Sequence, residues 1–113
     1  MPLPDDRDAF EAAFRAAVAA VLPDATVEVV ARTLVVIKLR VDLDANQFMD
    51  VFFNSRNRRT DLSLIDGGRR VFGYDNLGDW HCHPPDAPER HVACSEPNVG
   101  DFIRAAVALS RKT

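Results

Sequence analysis

Cysteine is scarce in this chain: Cys82 and Cys94 are the only two in 113 residues. A small secreted scaffold held by crosslinks usually carries four or more, so a disulfide framework is excluded as the organising device. The reading is a cytoplasmic protein with reduced thiols, with a Cys82–Cys94 bridge as the alternative. Long apolar runs are missing too. Those present are too short and too interrupted to span a bilayer, so no membrane association is expected. The start, Met1 to Asp6, has neither a basic region nor an apolar stretch and does not read as a signal peptide. Nor is there an excess of positive charge. Fourteen Lys and Arg stand against 17 Asp and Glu, a net −3, which argues against a general polyanion binder and leaves room for a local basic patch. The chain lacks GxxxxGK[ST], GxGxxG, paired CxxC and HExxH. It therefore does not look like a nucleotide kinase, a dinucleotide enzyme or a zinc finger.

What is present is an ordinary globular mixture, 47% hydrophobic and 27% charged. The length fits one domain over residues 1–113, able to bury about two thirds of its unfolded surface. Residues 5–22 read as a helix. Asp5 or Asp6 can cap its first amides, and Phe10, Phe14, Ala17, Val18 and Val21 form one apolar stripe. Residues 26–31 read as a strand. Val35, Ile37, Leu39, Val41 and Leu43 then alternate with Val36, Lys38, Arg40, Asp42 and Asp44, the period of a strand with one buried face. In strand 47–53 both faces are largely apolar, which predicts a central strand with something packed on each side. Residues 59–65 and 69–75 flank Asp66-Gly67-Gly68, a hairpin signal because glycine tolerates positive φ. Trp80–His83 reads as a short last strand and the proline-rich stretch 84–97 as an extended loop. Asn98 can cap a final helix, 99–111. Hairpin connections between strands and helices at both chain ends predict an α+β fold. Its expected form is an antiparallel β-meander of about five to six strands, with an N-terminal and a C-terminal helix packed on it.

The functional signal is concentrated in residues 74–94. All three histidines lie there: His81, His83 and His91. His81 and His83 are two apart, hence on one face of a strand, with Trp80 and Cys82 directed to the other face and the core. If residues 84–90 turn compactly, His91 returns toward the pair. Imidazoles titrate near neutrality, so such a group can both accept and deliver a proton. Through neutral nitrogens the same three residues could instead ligate Zn²⁺; Cys82, His91 and Cys94 form a weaker ligand pattern. The plain alternative makes His81 and His83 surface residues at a sheet edge and His91 a loop residue bonded to backbone.

Asp75 and Asn76 sit at a strand end, where both residue types favour corners. If the Asp66-Gly67-Gly68 turn is tight, Arg58 or Arg59 lies opposite Asp75, and one slip in register swaps which. A carboxylate there could orient a histidine or pair with that arginine. Arg56, Arg58, Arg59, Arg69 and Arg70 gather on one hairpin. Arg58 and Arg70 are the candidates for holding a phosphate. Arg56 and Arg59 read better as edge residues that discourage sheet aggregation.

The run Tyr74-Asp75-Asn76, then His81-x-His83-Pro84 and His91-Val92, resembles the TumE-like family of small bacterial and archaeal proteins. That family has a Tyr-Asp-Asn signature after a β-meander, followed by a His-rich stretch and a His-Val. In this chain Leu77-Gly78-Asp79-Trp80 separates the signature from the histidines, and Cys82 splits the pair. The resemblance implies the toxin half of a toxin–antitoxin pair, with a cognate helix-turn-helix antitoxin as partner and RNA as the expected target.

Three readings follow. The first is a metal-independent endoribonuclease toxin with catalytic His81, His83, His91 and Asp75, its substrate held by Arg58, Arg70, Tyr74 and Asn76. The second is a non-catalytic protein-interaction module, docking a partner or a second copy along the sheet edge near Trp80–His83. The third is a Zn²⁺-dependent hydrolase site at His81, His83 and His91.

Overall fold

The computed structural model describes Leu3, Pro4 and residues 6–111. Helix α1 spans Arg7–Val21. Asp6 caps it by accepting the Ala9 amide at 2.7 Å, satisfying one of the otherwise unpaired first-turn donors; Asp5, the other expected cap, lies outside the described residues. Seven strands follow: β1 Glu28–Arg32, β2 Val36–Asp42, β3 Gln47–Asn54, β4 Thr60–Asp66, β5 Arg69–Asp75, β6 His81–His83 and β7 Val92–Ala93. Helix α2, Val99–Ser110, closes the chain, its N-cap Asn98 accepting the Asp101 amide at 3.2 Å. The strands form one antiparallel sheet in sequence order, β1 to β7.

The expected α+β meander with helices on one face is therefore the architecture, with one strand more than expected. The extra strand is β7, inside the stretch expected to be loop. Two residues among prolines offer no alternation to detect, and their pairing with His81 and Cys82 is a tertiary event.

Alternation sorts the core. Ile37, Leu39, Val41, Met49, Val51, Phe53, Leu62, Leu64 and Phe72 are buried under Phe10, Phe14 and Val18 of α1 and Phe102, Ile103 and Ala106 of α2. Phe10 stacks on Phe53 with ring centroids 4.8 Å apart, and Phe102 on Phe72 at 6.0 Å. The expectation of a covered second face on β3 is corrected. Phe48 and Phe52 are only half-buried, and no described element lies over them. Arg40 shields Phe48 instead, its guanidinium carbon 3.5 Å from the ring centroid, so a cation does part of the work of a second layer.

The β4–β5 hairpin has a tight turn, with Asp66 paired to Arg69 and both Gly67 and Gly68 at positive φ (60° and 81°). A bulge at Val71 then shifts the register by one residue. Asp61, rather than Arg58 or Arg59, stands opposite Asp75: the two-residue turn alone would put Thr60 there, and the bulge moves the pairing one residue further. The bulge has a second effect. Strict alternation would put Arg70 on the core face with Phe72 and Tyr74. One inserted residue turns it to the open face, beside Gly73 and Asp75.

Candidate functional site

Asp75 ends β5 and His83 ends β6, and antiparallel pairing places both on the open face of the sheet. The His83 ring is held from two sides. Its Nδ1 donates to the Pro88 carbonyl at 3.1 Å, since a carbonyl can only accept. Its Nε2 lies 2.5 Å from Oδ2 of Asp75. Both ring nitrogens thus face oxygen atoms, one of a carbonyl and one of a carboxylate. The carboxylate is that of Asp75. Burial by itself would raise its carboxyl, but the His83 hydrogen bond, the Leu77 amide at 3.2 Å, the His83 charge and the Arg70 hydrogen bond outweigh it and hold the group below the usual carboxylate range.

The proline-rich loop does fold back. His91 is exposed, and its ring lies edge-on to both strand imidazoles, with centroids 4.6 Å from His83 and 5.7 Å from His81. His81 is half-buried, and its Nδ1 has no hydrogen-bond partner. The three rings therefore lie edge to edge, with the carboxylate bonded to one of them. The expected Zn²⁺ set was the three histidines, yet the atoms that converge, all within 4.8 Å of one another, belong to Asp75, His83 and His91. Two donors at ordinary Zn²⁺ bond lengths in a tetrahedral shell stand about 3.3 Å apart. The 2.5 Å between His83 and Asp75 suits a proton between them, and a cation would have to part the pair.

Arg70 reaches this group along an unusual path. Gly73 lies between it and Asp75 on β5, and a Cβ there would sit 2.4 Å from the Leu62 carbonyl oxygen and 3.4 Å from Cδ of Arg70. Without that Cβ, the Arg70 stem crosses the strand. Its Nη1 donates to Oδ2 of Asp75 at 3.3 Å, and Nη2 lies 3.9 Å from Oδ2 of Asp61. The guanidinium stands between two carboxylates that strand pairing puts directly opposite each other, a like-charge arrangement that is otherwise unfavourable.

The other expected site residues are placed differently. Tyr74 points to the helix side of the sheet, edge-on to Phe72 at 5.5 Å and Phe102 at 6.4 Å, and is not brought to the histidines. Asn76 has its amide engaged in shaping the β3–β4 loop: Oδ1 accepts the Thr60 amide at 2.7 Å and Nδ2 donates to the Arg58 carbonyl at 2.8 Å. Arg58 itself is exposed, at a φ of 60°, a left-handed turn that this clasp holds. Asn76 thereby anchors Arg58 at the histidine end of the sheet. Two edge readings are corrected. Pairing with β7 makes β6 an inner strand, and His83 is 3% exposed. Arg56 and Arg59 flank β4, the middle strand of the sheet, and therefore guard no edge.

Cys82 and Cys94 are free thiols, and burial pushes both upward, away from the reactive thiolate. Among the described residues no helix is long and apolar enough to cross a membrane.

Sequence reading missed Asp61 and the Pro88 carbonyl. The first needed the bulge, and the second is a backbone atom that no residue type announces. No family model, curated protein or solved structure matches this chain, so the family expectation rests on its own Tyr74-Asp75-Asn76 and histidine pattern.

Proposed function

We propose that this chain is the toxin of a toxin–antitoxin pair, and that it cleaves RNA by metal-independent acid–base chemistry at its histidine group. The observation that carries the reading is the convergence of His83 and His91 on the Asp75 carboxylate beside a guanidinium, with the His81 ring edge-on to His91. The toxin context and the antitoxin partner come from the sequence resemblance.

The roles follow from exposure. His91 is open to solvent and His81 is half-buried, so these two serve as the proton-transfer pair. One removes the proton of a ribose 2′-hydroxyl, whose oxygen attacks the adjacent phosphorus. The bond from phosphorus to the 5′-oxygen breaks, and the other imidazole protonates that oxygen. The products are a 2′,3′-cyclic phosphate and a 5′-hydroxyl. Buried His83 acts as a positioning residue: with Asp75 it forms a fixed hydrogen-bonded pair against which the His91 ring packs. Arg70 at the rim, with Arg58 nearby, supplies positive charge for the phosphate.

The test compares wild type with His91→Ala, in RNA cleavage by the pure protein in EDTA and in growth arrest on expression. The substitution should lower cleavage by about a hundredfold or more and leave the melting transition in place. Undiminished cleavage or arrest contradicts the reading.

A non-catalytic interaction module is the second reading, and one observation favours it. All five residues of edge strand β1 are exposed, and Val29, Val30 and the neighbouring Leu34 are among the exposed large apolar side chains. Strand addition there would suit an antitoxin or a second copy. Light scattering that gives a monomer, unchanged on mixing with the product of an adjacent antitoxin gene, contradicts it.

A further inference from the structure

The face of the sheet away from the helices carries a groove of about 510 Å³, lined by side chains from β2 to β5. Arg70 belongs both to this groove and to the histidine group, so the two are continuous. The volume suits a nucleotide-sized ligand. We propose that the groove is a subsite for single-stranded RNA: Phe52 stacks the base next to the scissile phosphate, and Arg59 holds the flanking backbone. The inference rests on the RNA-cleaving reading above and adds where the substrate lies.

Three observations support it. Phe52 is half-buried on a face with no described covering layer, between Lys38 of β2 and Asp61 of β4 in the strand register. An aromatic ring on an open sheet face is a platform for an unstacked base, since every base has a π-face, whereas a stacked duplex presents none. Arg59 lines the same groove, and its Nε is shielded from water with no hydrogen-bond partner. A buried guanidinium N–H left unmade is costly, and an anion entering the groove would satisfy it. The charges are also arranged unequally. Lys38 faces Asp50 at 3.7 Å and Arg70 faces Asp61 at 3.9 Å, so both acids already have a cation. Among the described residues no such acid is matched to Arg59, the remaining cation of the lining, and it marks the phosphate end.

The test uses the full chain and a fluorescein-labelled, 2′-O-methylated single strand of about 12 nucleotides, long enough to cover one sheet platform. The methyl groups remove the nucleophile, so binding is read without cleavage. Phe52→Leu keeps an apolar side chain and removes the ring; Arg59→Gln removes the charge. Each should weaken binding by about five- to a hundredfold in anisotropy titrations, with melting temperatures matched to wild type. A duplex of the same sequence should compete poorly. If wild type does not bind the single strand, or if both groove variants bind like wild type, the proposal is overturned, even where unmodified RNA is still cleaved. A polypeptide ligand lost in both variants, with RNA affinity intact, also overturns it. Groove binding without any cleavage of unmodified RNA instead supports the subsite and sinks the acid–base reading.

Discussion

His83 and Asp75 form a buried hydrogen-bonded pair, Nε2 to Oδ2 at 2.5 Å, with side chains only 4% and 8% exposed. The Pro88 carbonyl behind the ring and the Leu77 amide on the carboxylate complete the hydrogen bonding. A pair so enclosed is costly to break from one side, because the partner is left unsatisfied and dry. Asp75→Asn should therefore destabilise the chain by about 3 kcal/mol in urea unfolding at pH 7. A loss under about 1 kcal/mol would mean that the pair behaves like an exposed one.

The same carboxylate sets an acid limit. Its folded-state value lies below that of a free carboxyl, because the bonds and charges around it outweigh its burial. The unfolded chain therefore takes up this proton first as the pH drops. The contribution is complete above the unfolded carboxyl value, about pH 4, and is lost as the pH falls through the folded one. The stability gap between wild type and Asp75→Asn should narrow as the pH falls below about 4. A gap that widens below that pH would contradict the assignment.

Gly73 is required by contact rather than by backbone angle. A methyl group there meets the Leu62 carbonyl oxygen at 2.4 Å, a main-chain atom that cannot swing aside. Gly73→Ala should cost about 1–3 kcal/mol in thermal or urea unfolding. It should also push Arg70 off its path, so the RNA cleavage proposed above should fall by more than the loss of folded protein explains. An alanine variant with wild-type stability would show that the β4–β5 hairpin accommodates the methyl group.

Much of the fold was legible because its signals are local. The alternation in β2, the capping at Asp6 and Asn98, and the Gly67-Gly68 turn each report on a few neighbouring residues. What stayed hidden involves distant partners or a lost period. β7 is too short to alternate, and the open side of β3 looked covered because Phe48 and Phe52 are apolar, although Arg40 lies on the first of them. In the site, the return of His91 to His81 and His83 was legible from the prolines and the spacing. The partnership of Arg70 with Asp75 was not, because it depends on an extra residue at Val71 that reverses the parity of everything between it and the turn. Tyr74 and Asn76 stood out by their neighbours in sequence, and each serves packing or a loop clasp.

The in-order sheet carries a kinetic consequence. Each strand finds its partner at the next turn, so the meander can assemble by successive short loop closures, each with a small entropic barrier. The late event is the meeting of α1 and α2, which precede and follow the seven strands and rest against each other. During synthesis the first helix must therefore wait, its phenylalanines uncovered on one flank, until α2 has emerged.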